Sequence, residues 1–409
     1  MVLKPDIKEM NPIRFIYPSP GFDHYWKNGH GKKMLKKLEL IPDRQSIEQN
    51  IHLLFECDSL ADEVVKEVYL KLGFKEADTL ISSVFLKGID NVPNVPECLK
   101  QLFLEVDTLP TWLDKDKLDR GAAFCRRSGA AALIVLRNYC LMGGYESAAI
   151  NKPLIFTEAL KKGAAKRMAE TIEFWVNVTG ENALDRSEQG FKHTIKVRLI
   201  HAYTRVMILK MPLWDSNKWG LPINQWDMVA TNLGFSLAFM DGLKNLGFKP
   251  SKDEVEGLLH FWKYIGYLLG IPPAYLPDTE EQAIEELYKW TITQPPADDD
   301  TKALALALMN EPLLSSFPNY KWQKKLLIKI HLGYNHFFLG ERSCEAMGLP
   351  QTKLRFFPYI VRSIKSVQEF FVLSNDTYYK ATDKWGRKSQ EKIKYLFLKG
   401  HSSISSSKH

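Results

Sequence analysis

The sequence predicts an all-α protein, and three observations carry that prediction. Apolar residues recur at helical spacing, N-cap signatures open several of those stretches, and alternating Val, Ile and Thr runs bounded by turn residues are rare. At 409 residues and 45% hydrophobic content the chain can bury a large core. Aromatics make up 12% of it, and with a mean hydropathy of -0.24 this composition suits a soluble protein holding large apolar pockets.

The elements divide into a helical N-terminal segment (1–108), a central helical core (109–296) and a C-terminal helical segment with a basic tail (297–409). The Pro-rich VPNVPE at 92–97 and QPPADDD at 294–300 serve as joints. The opening residues show no apolar stretch followed by a small-residue cleavage site, so no secretory signal is expected. The most apolar stretch, AAALIVLRNYCLM, is short and broken by Arg137, so no membrane span is expected. AAKRMAETIEFWVNV and KVRLIHAYTRVMIL read as two helices of the core. Asn224 caps a helix from Gln225 to about Leu246, where Gly247 supplies the stop. Ser251 and Glu254 form a capping box for a helix that closes at Gly270-Ile-Pro-Pro. Thr279 starts another that runs toward Thr293, and Asp298 to Asp300 flank the N-terminus of the helix through KALALALMN.

Charge and cysteine usage exclude several classes. The net charge of +7 is concentrated between 380 and 409, where eight Lys and Arg face two acids, leaving the body at roughly +1. The basic, Ser-rich end GHSSISSSKH reads as a solvated tail, and no nucleic-acid partner is expected. Five widely spaced cysteines without C-x-x-C suit reduced thiols in a cytoplasm, and the missing C-x-x-C-H excludes covalent c-type haem. Phosphate-binding, zincin and esterase motifs are missing as well. His331 and His336 stand five apart on different helix faces, which argues against joint metal ligation, while His24 and His30 flank a Gly-containing turn and read as surface residues.

The sharpest feature is a polar stripe on an apolar helix. Thr194, Arg198, His201 and Arg205 fall on one helical face. The plain reading pairs the arginines with carboxylates of neighbouring helices. The functional reading is haem, whose propionates would pair with arginines and whose iron takes a neutral imidazole. In the other helix Arg167, Glu170 and Thr171 share one face, and an Arg167–Glu170 surface pair is the plain alternative there.

RMAETIEFW, VRLIHAYTR and the following WGLPINQWDM and FWKYIGYLLGIP together resemble the latex-clearing protein (rubber oxygenase) and MpaB oxygenase family, over roughly residues 110 to 290. The resemblance implies a globin-like helical core around non-covalent haem b, with additional N- and C-terminal helices. It implies that His201, in R-x-x-H-A-x-x-R, is the proximal iron ligand, flanked by Arg198 and Arg205 as cofactor-binding residues. On the distal side the family's Arg-x-x-Lys-Thr falls on Arg167, Glu170 and Thr171. Glu170 replaces a lysine that can take the sixth iron position, and Lys166 is expected on another face. An upstream glutamate acts as base in the family, and both Glu158 and Glu146 are candidates.

The expected function is a haem b oxygenase that uses dioxygen on an apolar, unsaturated small-molecule or polymer substrate, with Arg167, Glu170 and Thr171 as catalytic residues. Its rivals are a haem-binding or haem-sensing protein without oxygen chemistry, a peroxidase-like haem enzyme, and a cofactor-free helical interaction protein.

Overall fold

The computed structural model describes Arg14, residues 22–157 and residues 163–399. Among these residues all regular structure is helical and there is no strand, as the sequence predicts. The helices that position the site are, in chain order, Asp23–Lys27 (α1), Ser59–Val64 (α2), Glu97–Asp107 (α3), Lys115–Arg127 (α4), Gly129–Val135 (α5), Met142–Tyr145 (α6), Ala164–Val178 (α7) and Gln189–Ile208 (α8). They continue with Gln225–Leu233 (α9), Lys252–Leu268 (α10), Glu280–Thr291 (α11), Asp299–Leu314 (α12), Lys321–Ala346 (α13), Phe357–Ser374 (α14) and Asp376–Leu398 (α15).

The predicted caps form. Ser251 accepts from the Glu254 amide at 3.2 Å and Glu254 accepts in return from the Ser251 amide at 2.9 Å, closing the capping box of α10. Asn224 accepts from the Asp227 amide, Thr279 from Gln282 and Asp298 from Thr301. Lys152 bridges Asp298 and Asp300 at 2.7 and 2.5 Å, so the acidic flank of α12 meets a lysine as well as the helix dipole. The helical run from Gln225 ends at Asn245 before Gly247, as expected, but between α9 and Phe239–Asn245 it passes through a π-helical turn at Gly234–Ala238 that was not expected. Periodicity alone does not register one extra residue in a turn.

One apolar core extends from Phe22 to Leu349 and includes Trp175, Trp226 and Trp262, each at most 1% exposed. α4 and α10 cross where Gly121 meets Gly257, and a Cβ on Gly121 would lie 2.3 Å from the Gly257 carbonyl oxygen. Only glycine allows that approach. Next to the crossing, buried Arg127 donates to Glu254 at 2.6 Å and to Glu369 at 2.8 Å, tying α4, α10 and α14 together. Each charge in this trio has a partner, which is what makes its burial tolerable.

Candidate functional site

The stripe residues lie on α8, whose start is fixed by a close approach at Gly190: a Cβ there would lie 2.5 Å from the Ala183 carbonyl oxygen. Arg198 and Arg205 are both buried. The structure gives their guanidinium groups protein partners. Arg198 makes a two-pronged pair with Asp58, at 2.6 and 3.0 Å, and donates to Glu105 at 2.8 Å. Arg205 donates to Asp62 at 2.7 and 2.9 Å, to the Ile223 carbonyl at 3.0 Å and to the Asp58 carbonyl at 3.3 Å. Burial works against the Arg198 charge, but Asp58 and then Glu105 outweigh it and hold its pKa above the ordinary value. The carboxylates expected from a bound propionate are thus supplied by α2 and α3 of the chain itself.

His201 differs from its neighbours. Its Nδ1 is buried without a hydrogen-bond partner. Burial first, and then the Arg205 charge, push its pKa down to about 4 against a small opposing effect of Asp58, so the ring is neutral at pH 7. The space beside it measures about 10 Å³ and is lined by Asp58, Ile223, Gln225, Met228, Leu269 and Gly270 in addition to the stripe.

Two backbone devices shape that space. Ile223 has φ of 55°, a left-handed conformation that is unusual for a β-branched residue, and its carbonyl is held by Arg205. Gly270 has φ of 84°, and a Cβ there would lie 2.2 Å from Asp58 Oδ2. Gln225 donates to the Gly270 carbonyl at 3.0 Å, joining the Pro-Ile-Asn-Gln turn to the end of α10. Asp58, Asp62, Ile223 and Gly270 were not among the sequence candidates. Asp58 and Asp62 did leave a signal, since Asp58 stands at the N-cap of α2 and Asp62 one turn into it, two acids at the start of a helix.

Arg167, Glu170 and Thr171 lie half-buried on α7. α7 and α8 pack against each other where Asn177 contacts His193 at 3.2 Å and the Phe174 ring meets that of His193 at 5.4 Å. None of the three lines the space beside His201. Arg167 stacks over the Tyr145 ring at 5.7 Å, and Thr171 donates to the Arg167 carbonyl at 3.0 Å. Lys166 reaches Glu170 at 3.8 Å, so it shares a face with Glu170, contrary to the expectation that it points elsewhere; residues four apart are neighbours on a helix.

Of the two candidate bases, Glu158 lies outside the described residues. Glu146 follows Tyr145 directly and is buried, and its pKa is pushed up to about 7 by burial, against the pull of a hydrogen bond from Ser343 and the charge of Arg342. The other histidines have separate environments. His331 contacts Asn138 at 3.1 Å and His336 the Pro350 carbonyl at 3.1 Å, and no group of three or more metal-ligating side chains occurs among the described residues. His30 is half-buried, with its ring 6.0 Å from that of Tyr139, and is not the surface residue that its turn suggests.

The fit to haem is mixed. A neutral imidazole with an orphaned buried nitrogen is the right donor for iron. The arginines are committed to carboxylates of the chain, so in this arrangement the propionate contacts expected of them are not made.

Comparison with known proteins agrees with the motifs. Residues 126–364 match the family described as ER-bound oxygenase mpaB/B'/Rubber oxygenase, catalytic domain. A rubber oxygenase of Streptomyces sp. (strain K30) is 28% identical over 231 residues, a match covering 51% of this chain and 56% of that protein. The chain therefore matches only about half the length of this curated relative. The solved structure of latex clearing protein LCP in the closed state superposes with a TM-score of 0.67 at 18% identity, covering 83% of this chain and 91% of the other, and shows that the two share a fold. Matched through more than half its length, the chain belongs to the MpaB and rubber oxygenase catalytic-domain family.

Proposed function

We propose that the protein is a haem b-dependent oxygenase that uses dioxygen to oxidise or cleave an apolar, unsaturated substrate. The observation that carries this reading is His201, a neutral imidazole with a buried ring nitrogen that no protein group satisfies, on the helix that bears the family motif. The name of the Streptomyces relative points to a polymer as one substrate class.

His201 would hold the iron. When bound, haem supplies the redox chemistry of oxygen activation. Arg198 and Arg205 hold α8 against α2 through Asp58 and Asp62 and so fix where the imidazole sits; in this role they replace the propionate contacts expected of them. Arg167 and Thr171 would orient the reacting molecule. Glu146 can hold or release a proton near neutral pH, which suits it to the role of base, and Glu170 would assist proton handling.

The test is an absorption spectrum with a pyridine haemochrome assay on haem-supplemented protein. Wild type should show a strong Soret band that is lost or shifted in His201→Ala, and oxygen uptake with an unsaturated polymer should yield carbonyl products. One observation favours a second reading, a cofactor-free helical protein: both arginines of the stripe have carboxylate partners within the chain. That reading requires a colourless wild type.

A further inference from the structure

The hairpin of α14 and α15 turns apolar side chains toward solvent. A surface helix ordinarily buries its apolar stripe and exposes its charges. In α14 the inward side includes Lys365 and Glu369. The outward side carries Ile360, Ile364, Val367, Phe370 and Phe371, each between 48% and 68% exposed. The acid of this helix, Glu369, is buried against Arg127. Among the described residues no helix is long and apolar enough to cross a membrane, and α14 is interrupted by Arg362, Lys365 and Glu369.

The apolar surface continues onto α15. The Phe371 and Tyr378 rings are 6.4 Å apart, and Trp385 is 67% exposed. Exposed Lys388 and Lys392 edge this side of α15, and Arg362 edges α14. The acids of α15 have partners of their own: Asp383 pairs with Arg126, Glu391 with Arg387 and Lys394, and exposed Asp376, in the first turn of the helix, with Lys380 at 3.9 Å. The surface therefore combines an apolar strip, aromatic rings and a cationic edge.

We infer that the α14–α15 face docks on an anionic phospholipid surface, with α14 lying in the plane of the interface. The apolar side chains enter the acyl boundary, the aromatic rings sit at headgroup level, and the lysines meet the lipid phosphates. A second copy of the chain would bring two cationic edges together, whereas an anionic bilayer complements both the greasy strip and its charge. This inference does not depend on haem.

The test is co-flotation of the full chain with phosphatidylcholine vesicles, with and without phosphatidylserine. Wild type should float with the phosphatidylserine vesicles and lose binding as salt rises. Lys388→Glu with Lys392→Glu should cut the bound fraction by at least about fivefold. Ile364→Glu with Phe370→Glu should abolish binding, and Ile364→Ser with Phe370→Ser, a milder pair, should weaken it; circular dichroism and melting confirm that each variant is folded. Absence of flotation, equal binding to neutral vesicles, or undiminished binding by folded variants overturns the inference. So does a wild-type dimer in analytical ultracentrifugation that Ile364→Glu dissociates, which would assign the face to a second copy.

Discussion

At the scale of single residues, the arginines and the histidine of one helix face have different fates. Arg198 and Arg205 have buried carboxylate partners, so removing a partner should cost far more than a surface change. Asp58→Asn leaves Arg198 with Glu105 alone and should destabilise the fold by about 3 kcal/mol in urea melts. His201 and Glu146 set opposite pH dependences. The His201 pKa falls from 6.5 to about 4, so between these values the unfolded chain binds the extra proton and stability drops as the solution is acidified. The Glu146 pKa rises from 4.5 to about 7, so the folded state holds the extra proton there, and stability contributed by this group drops as pH rises from 4.5 through 7. Glu146→Gln should remove that alkaline-side loss, worth roughly 3 kcal/mol, while His201→Ala should flatten the acid limb in melts run from pH 4 to 8. A Glu146→Gln profile with the wild-type slope would show that its carboxyl titrates normally.

At the scale of elements, caps were legible in the sequence because they act over three residues. Ser251, Asn224, Thr279 and Asp298 each cap the helix predicted for them. Ser251→Ala should cost about 1 kcal/mol without altering the haem spectrum, since the effect is local to the start of α10. Gly270 is a different matter. Its sequence position marks a helix end, but the 2.2 Å approach of Asp58 to its missing Cβ couples it to the Arg198 pair. Gly270→Ala should therefore destabilise by about 2 kcal/mol or more, through both φ strain and the displaced carboxylate, and Asp58→Ala should relieve part of its cost in a double-mutant cycle. The π-helical turn at Gly234–Ala238 was not legible, because an apolar pattern at helical spacing does not register one extra residue in a turn.

At the scale of the whole molecule, the N-terminal helices are structural partners of the core. α2 supplies Asp62, and Asp58 is its N-cap residue, so deleting residues 1–64 would leave buried Arg205 without a carboxylate and Arg198 with Glu105 alone. The truncated chain should be insoluble or lack a cooperative melt, and a well-folded truncation would show that the pairs are dispensable. The sequence by itself determined the all-α class, the caps, the family motif and the stripe of Arg198, His201 and Arg205 on one helix, because these depend on periodicity and on residue chemistry within a few turns. Only the tertiary structure decided where the arginines turn, that Glu146 is the buried carboxyl with a pKa near 7, and that the space beside His201 is narrow. Those outcomes depend on contacts between residues about 90 to 200 positions apart, and a buried charge takes whichever partner the packing brings to it.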